Sequence, residues 1–384
     1  MKRLTLPTRP DWQEIARQSG FHFHHVDGDL YWDESVCYAL SLQEIEQGLE
    51  DPAQELADMC LDLVDDIVRS ESLLKKLEVP EYCWDMVRDS WGRHEPSLYG
   101  RFDFAFDGHG PAKLYEYNAD TPTSLYEAAY FQWNWLEDAM ILGILPGNAD
   151  QFNSIQERLI ETLASFDVRG RMHFASVRDS EEDRATVEYL LDCATQAGIE
   201  GRQMYIEDIA VDTNGQFIDE QRQAIRWLFK LYPWEFMVRD DFGQYLSQAD
   251  TTFVEPAWKM VLSNKGILPL LWERHKGHPN LLPAWFQEGG WTPAGDCVLK
   301  PLYSREGANI RIIRDGKEVL AMPGNYGQGI FIRQAFCPPP CVDGHGPVAG
   351  VWIVGGRACG LGFREDDSLV TGNLSRFVPH CILE

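Results

Sequence analysis

RFDFAFDGHGPAKLYEYNAD, residues 101–120, reads as two short β-arms joined by a DGHG turn. In the first arm three phenylalanines alternate with Arg101 and Asp103, so apolar and charged side chains point to opposite faces. The second arm alternates as well, and one of its faces carries Leu114, Glu116 and Asn118. The pattern predicts an amphipathic hairpin with a buried aromatic face.

The register of this hairpin decides which polar side chains meet. If Asp103 lies opposite Glu116, then Arg101 lies opposite Asn118, and all four side chains share one face. A one-residue slip would put the two carboxylates on opposite faces. Such oxygen ligands suit Mg²⁺, and an arginine beside them suits phosphate. The alternative is an ordinary hairpin with a solvated polar face, although one arginine, two carboxylates and an amide are an unusual surface mixture.

The composition indicates a folded, acidic protein. The chain has 384 residues, of which 44% are hydrophobic and 13 are tryptophan, enough for a large core and for two or three subdomains. Its formal charge of −26 argues against nucleic acid or an anionic membrane as the main partner, because both attract positive surfaces. A small cationic substrate is compatible with this charge.

The chain contains no apolar run long enough to span a membrane, and its start lacks the apolar core of a secretory signal. We therefore expect a cytoplasmic protein. The nine cysteines form no CxxC pair, which favours reduced, mostly buried thiols over disulfides or a zinc site.

Three regions with different patterns predict the fold class. Residues 1–150 combine the hairpin with helices, predicted from Ser41 to about Leu77 with a break near Pro52, near 83–93, and from Ser124 to Leu145. Residues 151–250 alternate between helix and strand, with segments at 151–165, 171–178, 182–197, 202–206 and 220–231. From residue 290 onward strands dominate, at 297–303, 308–313, 317–321, 329–336 and 349–364. The chain is predicted to be α+β with an α/β subdomain that contains parallel strands.

Lysines are informative in so acidic a chain. Lys265 begins an apolar helix, where a cation opposes the helix dipole and does not stabilise the helix. Lys300 lies in a strand that leads into a glycine-containing loop with Arg305. Such a loop can present backbone N–H groups and an arginine to a polyphosphate. A hairpin with exposed basic residues is the alternative.

Several blocks together resemble a known family. RFDF and YEYNAD, NKGILPLLW, LKPLYSREGANI and GLGFRE are similar, in order and spacing, to the synthetase domain of the glutathionylspermidine synthetase family, a permuted relative of the ATP-grasp ligases. The resemblance runs from about residue 20 to the end and extends to the stand-alone acid–amine ligases of the family. It implies one ligase domain over 1–384, with a substrate subdomain at 151–250 and a nucleotide-binding lobe at 251–384.

The resemblance also implies roles for individual residues. It implies magnesium ligands at Asp103, Glu116 and Asn118, and a catalytic arginine, Arg101, that steadies the transferred phosphoryl group. It implies an ATP site formed by Arg101, Lys265, Lys300, Arg305, Gly307, Gln334, Ala335, Phe336 and Arg364, with 334–336 reading the adenine. For the acid it implies Thr121 and Thr123, and for the amine Glu181 and Glu182.

The implied activity is an ATP- and Mg²⁺-dependent ligase that joins a small carboxylic acid to an amine through an acyl phosphate. The acid would be a peptide or glutathione-like molecule, and the amine polyamine-like or an amino acid. Threonines replace the family's serines at the acid site, which leaves glutathione and spermidine open, and the chain is too short for the amidase domain of bifunctional relatives. Two alternatives remain: a non-catalytic ATP-binding regulatory protein, and a hydrolase that uses Asp103 and Glu116 as a carboxylate pair.

Overall fold

The computed structural model describes residues 1–287, 295–372 and 375–384. Its strands are β1 Lys2–Thr5, β2 His25–Val26, β3 Asp29–Leu30, β4 Val36–Leu40, β5 Tyr99–Ala105, β6 Lys113–Asn118, β7 Arg171–Ser176, β8 Glu200–Tyr205, β9 Ala210–Val211, β10 Phe217–Ile218, β11 Trp227–Leu231, β12 Thr252–Val254, β13 Ala284–Phe286, β14 Cys297–Pro301, β15 Arg311–Arg314, β16 Lys317–Ala321, β17 Phe331–Ala335, β18 Gly346–Val354, β19 Arg357–Asp366, β20 Arg376–Val378 and β21 His380–Ile382.

The α-helices are α1 Trp12–Gln18, α2 Leu42–Ile45, α3 Asp51–Val68, α4 Glu71–Lys76, α5 Trp84–Gly92, α6 Gln132–Ile141, α7 Ile155–Ala164, α8 Glu181–Gln196, α9 Trp234–Met237 and α10 Ile267–Arg274. Two π-helical turns, at Glu46–Glu50 and Glu127–Phe131, precede α3 and α6. Short 3₁₀ turns lie at Glu81–Cys83, Ile206–Asp208, Gly243–Tyr245 and Ala257–Met260. In the described part of the chain, no helix is both long and apolar enough to cross a membrane.

The hairpin β5–β6 forms one edge of an antiparallel sheet with the order β20-β19-β18-β5-β6. One face of this sheet presents Phe102 and Phe104 to a core that also contains Leu56 and Leu63 of α3. The other face carries Arg101 and Asp103. The hairpin therefore shares one sheet with β18, β19 and β20, which places its polar face beside the last part of the chain.

A second sheet, β12-β11-β7-β8, is entirely parallel, so the parallel strands predicted for residues 151–250 are present. Phe229 of β11 packs with the cluster that includes residues of α7 and α8, whereas Leu228 packs on the opposite side with Phe217. Each face of this sheet is thus covered, as the apolar sequence of its strands requires.

A third sheet, β13-β17-β14-β15-β16, is antiparallel and carries Lys300 on β14 and Gln334 on β17. It accounts for most of the strands predicted after residue 290. The predicted segment 349–364 is in fact the hairpin of β18 and β19, which turns at Gly355 and Gly356. Both glycines have positive φ, of 55° and 77°, a conformation that side chains with a Cβ adopt only at a cost.

Two predicted helices differ from the structure. The predicted break near Pro52 is wrong, because Pro52 lies in the first turn of α3, where its missing N–H is not needed. The chain instead leaves the helix at Arg69 and Ser70. The helix predicted from Ser124 to Leu145 ends at Ile141 and contains a π-helical turn.

Candidate active site

The hairpin has the register that puts its four polar side chains on one face. Asp103 lies opposite Glu116 and Arg101 opposite Asn118. Arg101 donates from Nε and Nη2 to both oxygens of Asp103, over 2.6 and 2.9 Å, and Asn118 Nδ2 donates to Asp103 Oδ2 over 2.9 Å. The four polar residues therefore form one cluster, with Arg101 and Asp103 each only 9% exposed.

A β-bulge follows this cluster and changes the rest of the arm. The register shifts between Asp103 and Phe104, so that Phe104 pairs with Leu114 and Tyr115 is the extra residue. The prediction that Leu114 shares the face of Glu116 is therefore wrong, and Leu114 is buried with the phenylalanines. The carbonyl of Tyr115 instead accepts a hydrogen bond of 2.8 Å from Lys300 Nζ.

Both predicted phosphate lysines reach this hairpin. Lys265 Nζ lies 3.1 Å from Glu116 Oε2 and donates to the carbonyl of Ser304 over 2.8 Å. Burial alone would raise the pKa of Glu116, but Lys265 and Lys300 together hold it at about 2. Burial lowers the pKa of Lys300 to about 8 even though Glu116 opposes the shift. Two nearly buried cations thus converge on one carboxylate.

A cleft opens beside these lysines, between the hairpin and the third sheet. Its lining includes Glu116, Lys300 and the predicted adenine segment Gln334, Ala335 and Phe336. Gln334 is buried, and its side-chain amide donates to the carbonyl of Leu114 over 3.0 Å. Apolar walls with a few fixed polar groups are typical of ligand clefts.

Gly307 also lines this cleft. Its φ is 71°, and a Cβ there would approach Val370 Cγ1 to 2.6 Å and the carbonyl oxygen of Thr371 to 2.9 Å. A glycine is therefore required both by the backbone conformation and by the close packing of residues 370–371.

Arg305 does not project into water. Its Nε and Nη2 donate to Glu235 Oε1 over 3.1 and 2.9 Å, and Nη1 donates to Thr121 Oγ1 over 2.5 Å. Glu235 is 4% exposed and lies in α9, which follows β11 of the parallel sheet. Arg305 thus links the predicted phosphate loop to the predicted acid site.

Arg364, on β19, also contacts the loop that carries Thr121 and Thr123. Its guanidinium donates to the carbonyl oxygens of Gly372 and Ser375, over 2.8 and 3.1 Å, and to Ser124 Oγ over 3.4 Å. The carbonyl of Thr123, the residue before Ser124, accepts a hydrogen bond of 2.5 Å from Arg101 Nη1. Thr121 and Thr123 therefore lie in a loop that three arginines hold: Arg101, Arg305 and Arg364.

The predicted acidic pair is separated. Glu181 is exposed on the surface of α8, and its Oε1 lies 3.6 Å from Arg184 Nη2. Burial raises the pKa of Glu182 above its ordinary value against the opposing charge of Arg364, so this side chain faces the site. Its neighbour Asp183 is close to the same charged groups: burial and Glu182 raise its pKa to about 7, and Arg305 opposes the shift. The acidic residues brought to the site are Glu182 and Asp183.

Sequence reasoning missed three buried groups. Glu127, on a π-helical turn, accepts a hydrogen bond from Tyr31, and burial and Glu182 raise its pKa to about 7. Lys230 donates to Asp120, and both side chains are fully buried. Asp120 is the last residue of the YEYNAD block. Its partner Lys230 lies 110 residues away, so no local sequence pattern indicates this ion pair. The third group is Glu235.

The residues fit a magnesium ion by their chemistry. Asp103, Glu116 and Asn118 offer carboxylate and amide oxygens, and Asn118 turns its nitrogen to Asp103, which leaves its amide oxygen for a cation. Mg²⁺ is bound in this way by one or two carboxylates together with substrate phosphates.

Comparison with known proteins places this geometry in a family. The family model of the glutathionylspermidine synthase preATP-grasp matches residues 3–383. A Haemophilus influenzae protein whose name proposes an acid–amine ligase is 41% identical, over 99% of both chains. The bifunctional glutathionylspermidine synthetase/amidase of Escherichia coli K12 is 28% identical over 94% of this chain, which spans 61% of that protein.

A solved structure has the same fold. The glutathione synthetase-like effector of Globodera pallida aligns with a TM-score of 0.55 over 99% of this chain and 100% of the other, at 12% identity. The ATP-grasp-like α+β fold that the sequence predicts is confirmed. The chain belongs to the glutathionylspermidine synthase preATP-grasp family.

Proposed function

We propose that this protein forms an amide bond between a small carboxylic acid and an amine, with ATP as the energy source and an acyl phosphate as the intermediate. The observation that carries the proposal is the convergence of Lys265 and Lys300 on Glu116, beside the Arg101–Asp103 pair and at the edge of the cleft. Membership of the family makes the chain an ATP-dependent carboxylate–amine ligase, so this prediction is confirmed at the level of reaction class.

ATP would lie in the cleft. The segment Gln334–Phe336 would contact the adenine, while Lys265 and Lys300 would neutralise the phosphates and later hold the leaving ADP. Phosphoryl transfer needs little covalent help from a protein, and positioning and charge neutralisation supply most of the catalysis. This explains how the site can act without a nucleophilic side chain.

Asp103, Glu116 and Asn118 would hold the magnesium ion. When bound, the ion would supply positive charge against the phosphate oxygens and keep the nucleotide in one orientation. Arg101, whose guanidinium donates to Asp103 beside these ligands, would stabilise charge on the transferred phosphoryl group.

The acid would bind in the loop of Thr121 and Thr123, beside Arg305 and Arg364. The carbonyl and hydroxyl groups of this loop are held by arginines, which suits a carboxylate that must reach the γ-phosphate. A peptide or glutathione-like acid is the class that the relatives' names suggest.

The amine would bind against the acidic residues Glu127, Glu182 and Asp183. Their raised pKa values reflect burial and mutual proximity, and a cationic amine would relieve both. Several carboxylates in one place favour a polyamine-like substrate over a monoamine.

The two alternatives have less support. A hydrolytic carboxylate pair needs one member with a raised pKa to act as an acid, whereas Glu116 is held at about 2 and both oxygens of Asp103 accept from Arg101. A regulatory protein that only binds ATP would not need the magnesium ligands, and all three are present.

A screen for condensation tests the proposal. The protein is incubated with ATP, Mg²⁺ and a matrix of peptide acids and polyamines, and ADP release is measured together with product mass. We expect ADP only in wells that contain both an acid and an amine, with a product lighter than their sum by one water. ADP release that does not depend on the acid or the amine, or hydrolysis of a conjugate without ATP, would contradict the proposal.

A further inference from the structure

A second cavity, of about 500 Å³, lies outside the nucleotide cleft. All of its lining comes from residues 177–246, that is, from the parallel sheet and its connections, whereas the nucleotide cleft is lined by residues 103–116 and 282–371. Its volume falls in the range of about 300–1,000 Å³ that is usual for small-ligand sites.

The position of the cavity in the sheet is one at which α/β proteins bind ligands. The chain runs from β7 to β8 on one side and then crosses to β11 on the other, so the connections diverge between β7 and β11. Ligands bind outside the carboxyl ends of parallel strands at such a divergence. Val177, directly after β7, and Tyr232, directly after β11, both line the cavity.

The interior of the cavity is apolar. Its lining includes Val177, Phe217, Leu228 and Leu246. Of these, Phe217, Leu228 and Leu246 are buried. Burying an apolar group of a ligand against such a surface is favourable by roughly 25 cal/mol per Å². The interior therefore suits an alkyl or aryl group.

The rim carries negative charge. Glu207, Asp240 and Asp241 all reach the cavity, and in residues 1–287, 295–372 and 375–384 none of them has a salt bridge to a basic side chain. Arg239 also lies at the rim, but its guanidinium lies over the ring of Tyr303, 5.8 Å from the ring centre. The rim thus has more carboxylates than cations.

Tyr232 gives the rim a fixed polar group. Burial and the nearby carboxylate of Asp240 raise the pKa of Tyr232 to about 12, so the phenol keeps its proton. Tyr232 and Asp240 both line the cavity.

We propose that this cavity binds a small amine with an apolar body, whose ammonium group meets Asp240 and its neighbours while the alkyl or aryl part enters between β7 and β11. Carboxylates without a salt bridge, lying over an apolar floor, complement such a cation and disfavour an acid of the same shape. The inference goes beyond the proposed ligase, because it uses no residue of the nucleotide cleft and needs no ATP.

Titration calorimetry without nucleotide tests the charge preference. Hexylamine, hexanol and hexanoate have the same apolar chain and differ in charge. We expect hexylamine to bind in the millimolar range, hexanol about tenfold more weakly, and hexanoate not at all. Equal binding of hexanoate and hexylamine, or no binding of hexylamine at about 10 mM, would overturn the proposal.

Two variants locate the site. Asp240→Asn with Asp241→Asn changes exposed side chains and should weaken hexylamine about tenfold without changing hexanol binding. Asp58→Asn with Asp62→Asn, on the exposed face of α3, removes the same charge elsewhere and should leave both affinities unchanged. Ile209→Phe, which fills the cavity, should abolish binding of both ligands. Unchanged hexylamine binding in the rim and filling variants would place the amine elsewhere and refute the inference.

Discussion

Lys300 is a buried cation next to a second lysine, and this environment sets its protonation. Burial lowers its pKa to about 8, and Lys265 adds to the shift while Glu116 opposes it. Phosphate groups that enter the cleft would bring negative charge close to Lys300 and raise the pKa again. The lysine is therefore partly neutral in the free protein at mildly alkaline pH and charged in the complex.

We predict that ATP binding takes up a proton near pH 8.5. At that pH about three quarters of the Lys300 side chains in the free protein lack the proton that the complex requires, because the pKa is about 8, so uptake should approach this value. Calorimetry in two buffers of different ionisation enthalpy measures it. Below about pH 7 the uptake should vanish, since Lys300 is already protonated.

Lys300→Arg is the matched control, because arginine stays charged throughout this range. It should bind ATP with no proton uptake near pH 8.5. The same uptake in the variant as in the unaltered protein would assign the proton to another group.

Glu116 is the residue on which the two lysines converge, and replacing it separates function from folding. Glu116→Gln should reduce ADP release at least about 100-fold, because one charged oxygen ligand and the counter-ion of both lysines are lost. The protein should still fold, since the hairpin is held by Phe102, Phe104 and backbone pairing, but the melting temperature should fall because two buried lysines lose their counter-ion. Thermal unfolding and a coupled ADP assay give the two values.

Glu116→Asp provides the control for this prediction, since it keeps the charge and shortens the side chain. It should retain more activity than Glu116→Gln. Full turnover in the Gln variant with the cognate substrates would refute the metal assignment.

At the scale of elements, the hairpin illustrates what the sequence can and cannot predict. Alternation of side chains gave the polar cluster of Arg101, Asp103, Glu116 and Asn118, and the structure has that register. Alternation could not predict the bulge at Tyr115, because a one-residue insertion leaves both flanking patterns intact. The bulge nevertheless supplies the carbonyl that Lys300 contacts.

The loop after β14 contains a contact that the sequence could not predict, for a related reason. The alternative of exposed basic residues in this loop does not describe Arg305, which is held by Glu235 and Thr121. The partner Glu235 lies 70 residues away on α9, and such a contact leaves no trace in the local pattern. The buried Glu127 was missed for the same reason.

We predict that Glu235→Gln releases this loop. Hydrogen bonds between charged groups contribute about 1.5–3 kcal/mol, so trypsin should cut after Arg305 on the order of tenfold faster once the carboxylate is lost. Mass spectrometry of the fragment that ends at Arg305 follows the rate. Glu207→Gln, a nearby change that does not touch Arg305, should leave it unaltered. Equal rates in all three proteins would show that Glu235 does not hold the loop.

At the scale of the whole molecule, the fold joins distant parts of the chain. The composition and alternation of the sequence were sufficient for the fold class and for the parallel strands of 151–250. They could not predict that β5 and β18, about 240 residues apart, are neighbours in one sheet, because strand pairing depends on tertiary packing. This pairing puts the hairpin and Arg364, on β19, in one sheet.

The central claim is that ATP activates a carboxylic acid at this cleft. Transfer of ¹⁸O tests it most directly. A carboxylate substrate found in the condensation screen is labelled with ¹⁸O in both oxygens and converted to the amide, and the inorganic phosphate is analysed by mass spectrometry. An acyl phosphate intermediate predicts one ¹⁸O atom in each phosphate released. Phosphate without label, or formation of AMP and pyrophosphate, would contradict the account.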